Sequence, residues 1–141
     1  AMCGSGRLLV PLLQEGFIVD GVDNSQEMLA RCKARCAELG LTPELYTESL
    51  ETFKSPHTYA TVTIAVGSFQ LIINREMALK ALQNIHAHMI DGGNVLIDTF
   101  VPDTKNMHSD KAVRLDDTTV LTLTTEYTYH EKEKRADAFC T

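Results

Sequence analysis

The chain has 141 residues, 44% of them hydrophobic, and a formal net charge of −6. This apolar content is sufficient for the core of one domain, and the acidic balance argues against a nucleic-acid partner, which would require clustered Lys and Arg. No apolar run reaches the about 18 residues of a membrane span, and the first residues lack the pattern of a signal peptide, so we expect a soluble, cytoplasmic protein without a membrane partner.

The cysteines of the chain are Cys3, Cys32, Cys36 and Cys140, and their spacing is not typical of a zinc site. Cys32 and Cys36 lie four residues apart, on one face of a predicted helix. Free cysteine packs like a small apolar residue. We therefore expect reduced thiols in a protein core and no metal site.

The first predicted element is a helix over residues 6–15. Its apolar face consists of Leu8, Leu9, Leu12 and Leu13. Gly16 ends the pattern. Pro11 lies beyond the first turn of this span and removes one backbone hydrogen bond, so we expect the helix to be short or slightly kinked.

A buried parallel strand and a second helix follow. FIVDGVD, residues 17–23, is nearly all apolar until its final acid, which predicts the strand. Asn24 and Glu27 have the spacing of a capping box and predict the start of the helix, which Gly40 would end. The predicted inner face of this helix consists of Met28, Leu29, Cys32, Cys36 and Leu39.

Three more strands and one helix complete this pattern. Residues 44–47 and 58–66 are predicted strands. A helix is predicted from its cap, Asn74, to the Asp91-Gly92-Gly93 turn, with a further buried strand over residues 94–100. The apolar positions of that helix are Ala78, Leu82, Ile85 and Met89.

Strands that alternate with helices predict a Rossmann-like, mostly parallel α/β sheet with helices on both faces over residues 1–101. The pattern changes after Pro102, and residues 102–141 are predicted to add antiparallel strands to the same domain. The parallel sheet also requires a strand ahead of Met2. We therefore expect the chain to be a fragment that lacks its first strand.

The candidate ligand site lies at the carboxyl ends of the predicted strands, where open α/β sheets bind their ligands. CGSG, residues 3–6, allows the backbone to approach a ligand closely at Gly4 and Gly6. Asp23 ends the next strand, where its carboxylate can accept both hydroxyls of a ribose. Together these features predict an adenosine cofactor that fits between the glycine turn and Asp23.

The identity of the cofactor depends on the spacing of the glycines. A dinucleotide site prefers GxGxxG, whose third glycine allows close packing of helix and strand. Counted from Gly4, that third position is Leu9. An NAD-dependent oxidoreductase is therefore the less favoured interpretation, and it stays open at this point.

Four segments in this order resemble a class I S-adenosylmethionine-dependent methyltransferase of the small-molecule type: MCGSGR, GVDNSQEML, AVGSFQLI and DGGNVLIDTF. The resemblance covers residues 1–101. It implies S-adenosylmethionine as cofactor and transfer of its methyl group to an N, O or C nucleophile of a small molecule. No catalytic triad is required, and the sequence singles out no general base.

The resemblance also implies positions around the cofactor. Met2, Cys3 and Gly4 would approach its methionine part, and Asp23 would bind the ribose. The residues that it places around the adenine are Asn24, Met28, Glu48 and Ser49. The residues that it places at the sulfonium end are Ala65, Val66 and Phe69.

Several assignments keep alternatives. Met28 and Phe69 could be core residues, and Asp98 could be an acid or base or a structural hydrogen-bonding group. On the predicted antiparallel strands, Tyr127, Tyr129 and His130 could line an acceptor pocket or form a half-exposed sheet face. A non-catalytic module that keeps the fold as a dimerisation or regulatory surface is a further alternative, and a homodimer is expected because of an open sheet edge.

Overall fold

The computed structural model describes residues 1–101, 105, 107–114, 116 and 118–140. It divides into two compact units, Ala1–Thr99 and Phe100–Thr141. This division lies close to the boundary expected after residue 101. The grouping of both units into one domain stays a prediction.

The helices and strands of the first unit alternate along the chain. They are α1 (Leu9–Gln14), β1 (Gly21–Asp23), α2 (Gln26–Glu38), β2 (Leu45–Thr47), β3 (Tyr59–Ile64), a 3-10 helix (Ser68–Leu71), α3 (Arg75–Ala87) and β4 (Met89–Ile97). This order confirms the α/β pattern predicted from the sequence.

The strands of the first unit are parallel. β1 pairs with β2, and β3 pairs with β4. The Cys3 backbone N–H donates to the Val22 carbonyl at 3.0 Å, and the Ala1 nitrogen donates to the Thr63 carbonyl at 2.6 Å. Residues 1–3 therefore lie between β1 and β3, and the order across the unit is β2, β1, residues 1–3, β3, β4.

Helices cover both faces of this arrangement, as predicted. A first core cluster contains the buried residues Leu9, Val10, Cys32 and Cys36 of α1 and α2. A second core cluster contains Val22, Leu50, Phe53, Ile64, Ala81 and Ile85, the last two from α3. Leu45 packs against the first cluster and its neighbour Tyr46 against the second. Because successive strand residues point to opposite faces, α1 and α2 lie on one face and α3 on the other.

α1 is short, as expected, but it starts later than predicted. Pro11 is its third residue and lies in the first turn, where a missing N–H leaves no helical bond unmade. The buried residues of α1 are Leu9 and Val10, whereas Leu8 is exposed. Gly16 adopts φ +87° after the helix, and Phe17 donates its N–H back to the Leu12 carbonyl.

The prediction of a buried strand over residues 17–23 is wrong for its first part. Phe17 and Ile18 are exposed, and only Gly21–Asp23 forms β1. The backbone of Phe17 is used in the closing turn of α1, so it cannot pair in the sheet. An apolar run alone did not distinguish this turn from the strand.

α2 begins one residue later than predicted. Its N-cap is Ser25, whose hydroxyl accepts the Met28 N–H at 3.3 Å, so the capping box assigned to Asn24 and Glu27 is wrong. Gly40 adopts φ +69° just past the end of α2, as predicted. The buried residues are Leu29, Cys32 and Cys36, whereas Met28 and Leu39 are 42% and 49% exposed.

α3 is capped by Asn74, as predicted, because its side-chain oxygen accepts the N–H groups of Glu76 and Met77. The helix ends at Ala87, and its buried residues are Ala81 and Ile85 rather than Ala78 and Leu82. β4 already starts at Met89, so the predicted Asp91-Gly92-Gly93 turn lies inside the strand. The pairing register shifts there, and Gly92 adopts φ +77°.

The second unit is an antiparallel sheet, as predicted. Its strands are β5 (Met107–Arg114), β6 (Val120–His130) and β7 (Arg135–Cys140), paired in the order β5, β6, β7. Residues 131–134 of the polar HEKEKR segment form the turn between β6 and β7, whose end residues His130 and Arg135 pair with each other. In the described part of both units, no helix has the length and apolar character that crossing a bilayer requires.

Candidate functional site

A cavity of about 230 Å³ opens at the carboxyl ends of β1 and β2. Five of the predicted site residues line it: Met2, Asp23, Asn24, Glu48 and Ser49. Six residues that were not assigned to the site complete the lining: Leu50, Glu51, Ile72, Ile73, Asn74 and Met77. The cavity therefore combines a polar rim from strand ends with an apolar wall from the segment before α3.

The Asp23 carboxylate connects two parts of this site. One oxygen, Oδ2, accepts the Gly4 backbone N–H at 2.8 Å, and Oδ1 accepts the Ser25 N–H at 2.9 Å. Each carboxylate oxygen has two acceptor positions, so both oxygens can accept a further hydrogen bond from a ligand in the cavity.

The direct bond between Gly4 and Asp23 corrects one expectation. The glycine turn and the carboxylate were expected to leave a gap in which a nucleoside fits. At 2.8 Å there is no gap between them. The cavity lies beside this pair, and a ligand would contact the pair from one side.

Gly4 and Gly6 differ in what surrounds them. A Cβ on Gly4, which has φ +52°, would meet open space. A Cβ on Gly6, which has φ +81°, would lie 2.6 Å from the Cys32 Sγ, and the Gly6 N–H already donates to the Cys3 carbonyl at 3.0 Å. Gly4 therefore leaves its backbone accessible, whereas Gly6 allows the turn to pack against α2. The prediction that Gly6 contacts the cofactor lacks support in this geometry.

Met2 and Cys3 point to opposite faces of the sheet. Met2 packs partly against the second core cluster and lines the cavity, whereas Cys3 packs against the first cluster. Burial is the main cause that raises the pKa of the Cys3 thiol to about 11. The thiol is thus neutral at pH 7 and a weak nucleophile, and Cys3 does not line the cavity.

The rim residues Glu48 and Ser49 belong to a tight loop after β2. The Glu48 carboxylate accepts the Lys54 N–H at 3.2 Å, and the Ser49 carbonyl accepts the Phe53 N–H at 2.8 Å. Asn84 of α3 donates from Nδ2 to the carbonyls of Leu50 and Phe53, both at 2.8 Å. The sequence analysis missed Asn84, because nothing in the sequence indicates that an asparagine on a helix will bond to the backbone of a distant loop.

Seven predicted site residues do not line this cavity: Cys3, Gly4 and Gly6 of the glycine turn, and Met28, Ala65, Val66 and Phe69. Met28 is 42% exposed on α2, and Phe69 packs partly buried against the second core cluster. Ala65 lines a second cavity of about 310 Å³, together with Asp98 and residues of β3 and β4. Val66 is 61% exposed and has left the strand, so the prediction that β3 extends to residue 66 is wrong.

A hydrogen-bonded polar cluster lies near the start of β3, at the amino end of the sheet. The Tyr59 hydroxyl donates to the Asp20 carboxylate at 2.8 Å and lies 2.8 Å from the Ser55 hydroxyl. Burial raises the pKa of Tyr59. Because ligands of such sheets bind at the carboxyl ends, these groups stabilise the fold.

The second unit carries the candidate acceptor residues Tyr127, Tyr129 and His130 on β6. The His130 Nε2 lies 2.9 Å from the Asp137 carboxylate, which also pairs with Arg135. A role of these residues in an acceptor pocket stays a prediction. Within the described residues, no group of three or more His, Cys, Asp or Glu side chains could hold a metal ion.

Comparison with known proteins identifies relatives of the chain. The family model described as a methyltransferase domain matches residues 1–93. A protein of Geobacillus sp. (strain WCH70) that is named as a methyltransferase is 29% identical over 96 residues, which cover 68% of this chain and 39% of that protein.

Solved methyltransferase structures share the fold. CalS10, an amino pentose methyltransferase of Micromonospora echinaspora solved with bound S-adenosylmethionine, superposes with a TM-score of 0.77 and 16% identity, over 99% of this chain and 63% of its own. An S-adenosylmethionine-dependent methyltransferase of Clostridium acetobutylicum superposes with a TM-score of 0.73 and 19% sequence identity, and the match covers 99% of this chain and 62% of that protein. The chain thus spans less than two thirds of the length of these proteins. Because the family model matches residues 1–93, the chain belongs to the methyltransferase domain family.

Proposed function

We propose that the protein is an S-adenosylmethionine-dependent methyltransferase, and that the cavity at the carboxyl ends of β1 and β2 binds the adenosine part of the cofactor. The observation that carries the proposal is the Asp23 carboxylate, which the Gly4 and Ser25 N–H groups hold at the wall of this cavity. A carboxylate with free acceptor positions beside a cavity is suited to two ribose hydroxyls.

The lining of the cavity fits a nucleoside. A volume of about 230 Å³ is below the about 300–1,000 Å³ of pockets that enclose a whole drug-sized ligand, so the cavity suits part of the cofactor. Ile72, Ile73 and Met77 supply an apolar wall for a flat base, and Asn24 and Glu48 supply polar groups at its edge. The open space beside Gly4 leaves room for the rest of the cofactor.

Catalysis in this proposal depends on alignment. The bound cofactor supplies a methyl group on a positively charged sulfur, which is an excellent leaving group. Asp23, held in place by the Gly4 and Ser25 N–H groups, binds the cofactor, and well-oriented reactants can gain about 7–11 kcal/mol from positioning alone. The protein therefore needs no nucleophile of its own.

The acceptor in this proposal is a small molecule. The support for this class is that CalS10 is named as an amino pentose methyltransferase. The non-catalytic alternative predicted a site blocked by side chains such as Met2. That alternative loses support because Met2 lines the cavity and leaves it open.

The proposal is tested by calorimetric titration of the full-length protein with S-adenosylhomocysteine and, separately, with NADH. We expect saturable binding of S-adenosylhomocysteine and no saturable binding of NADH. Leu9 is the physical reason for the second expectation, because it is buried in the first core cluster at the position where a dinucleotide site requires glycine. Saturable NADH binding that S-adenosylhomocysteine displaces, or no binding of S-adenosylhomocysteine, would contradict the proposal.

A further inference from the structure

Asp98 follows the last residue of β4 and holds the turn that follows β3. Its Oδ2 accepts the Val66 N–H at 2.8 Å, and its Oδ1 accepts the Gly67 N–H at 2.6 Å. The Asp98 N–H itself donates to the Ile64 carbonyl at 3.2 Å. Asp98 is thus fixed to the end of β3 by its backbone and by both carboxylate oxygens.

The turn that Asp98 holds has an uncommon backbone conformation. Val66 has φ +63° and Gly67 has φ +64°, so two successive residues lie in the left-handed region. Glycine adopts this region readily, whereas a β-branched residue there is an outlier that persists only when its surroundings impose it. Val66 is 61% exposed, so burial of this residue does not impose the conformation. The N–H groups of both residues are held by Asp98, and the Ser68 N–H closes the same turn by donating to the Ala65 carbonyl at 3.3 Å.

The turn leads directly into the wall of the cavity. Ser68 donates its hydroxyl to the Ala65 carbonyl at 2.7 Å and begins the 3-10 helix Ser68–Leu71. The next residues, Ile72 and Ile73, line the cavity, and Asn74 both lines it and caps α3. The direction in which the chain leaves residue 67 therefore sets the position of this wall.

The same contacts argue against an acid or base role for Asp98. The backbone N–H groups of Gly67 and Val66 hold the pKa of its carboxyl below the usual range. A carboxylate stabilised in this way is ionised at neutral pH and a weak base. Among the described residues, no titratable side chain other than Asp98 lines the second cavity.

We propose that Asp98 is a positioning residue: by bonding to Val66 and Gly67 it keeps them in the left-handed conformation and thereby places Ile72, Ile73 and Asn74 at the cofactor cavity. The inference rests on the proposed function for its ligand. The geometry of the turn can be tested without any ligand, so the two can fail separately.

The test compares Asp98→Ala, Asp98→Asn and the double variant Asp98→Ala/Val66→Gly in the full-length protein, with Asp91→Asn, an exposed aspartate of β4, as the matched control. In Asp98→Ala we expect the Gly67 amide to exchange at least about tenfold faster, since bonds to a charged acceptor are lost. Affinity for S-adenosylhomocysteine should also fall, and Asp98→Asn, which keeps one acceptor oxygen, should lie between Asp98→Ala and the unaltered protein.

Val66→Gly separates a positioning role from an acid or base role. Glycine needs no clamp to stay in the left-handed region, so the double variant should recover part of the affinity lost in Asp98→Ala. Unchanged Gly67 exchange in Asp98→Ala would overturn the proposal, as would a loss of affinity that Val66→Gly does not restore. Failure of the unaltered protein to bind S-adenosylhomocysteine would instead overturn the proposed function, while amide exchange would still decide whether Asp98 holds the turn.

Discussion

Replacement of Asp23 with Asn is expected to weaken binding of S-adenosylhomocysteine by about 100-fold. A hydrogen bond to a charged group contributes about 1.5–3 kcal/mol, and the amide offers the ribose hydroxyls one neutral acceptor where the carboxylate offers two charged oxygens. The amide would also present N–H groups to the Gly4 or Ser25 N–H, which now donate to the carboxylate. The measurement is calorimetric titration at a temperature at which circular dichroism shows the variant to be folded.

Glu51→Gln provides the matched control for Asp23→Asn. Glu51 lines the same cavity, so this substitution removes the same charge from the same surface without touching the ribose contact. We expect its affinity for S-adenosylhomocysteine to stay within about threefold of that of the unaltered protein. Removal of a surface charge usually changes a free energy by less than about 0.5–1 kcal/mol. Equal losses of affinity in both variants would mean that Asp23 acts only through the electrostatic potential of the cavity. That result would contradict the assignment of Asp23 to the ribose.

Replacement of Gly6 with Ala is expected to lower the free energy of unfolding by about 2–4 kcal/mol. Two costs add at this position. The left-handed conformation, φ +81°, is unfavourable for alanine, and the new Cβ would lie 2.6 Å from the Cys32 Sγ and 3.2 Å from the Val10 Cγ2. Both neighbours are buried in the first core cluster, so they have little room to move. Urea denaturation followed by circular dichroism measures the change.

The control for Gly6→Ala is Gly40→Ala. Gly40 has φ +69° past the end of α2, and a Cβ there would meet nothing within 4 Å. Gly40→Ala therefore has the conformational cost alone, about 1–2 kcal/mol. If the two variants lost the same stability, the steric account of Gly6 would be wrong, and Gly6 would again be a candidate for direct contact with the cofactor.

The alternation of strands and helices was predictable because it depends on local pattern, whereas element boundaries were not. Hydrophobic periodicity located α2 and α3, yet the cap of α2 is Ser25 and not Asn24. Both residue types cap helices well, and the choice was decided by Asp23, whose carboxylate holds the Ser25 N–H. A contact of this kind comes from the fold and leaves no trace in residue spacing.

Part of the candidate site was predictable, since position at a strand end indicated Asp23 and the family resemblance implied Met2 and Glu48. Met2, Asp23 and Glu48 meet because the carboxyl ends of adjacent parallel strands lie at one edge of the sheet. The apolar wall formed by Ile72 and Ile73 was not predictable, since it depends on the direction of the chain after the turn. That direction follows from backbone angles at residues 66 and 67, and no side-chain pattern indicates that a valine will adopt φ +63°.

The central claim is that Asp23 holds a ribose at the cavity beside β1 and β2. A crystal structure of the full-length protein grown with S-adenosylhomocysteine tests it most directly. We predict both ribose hydroxyl oxygens at about 2.5–3.0 Å from the Asp23 carboxylate, with the base against Ile72 and Ile73. A ligand bound elsewhere, with Asp23 bonded only to the N–H groups of Gly4 and Ser25, would contradict the account.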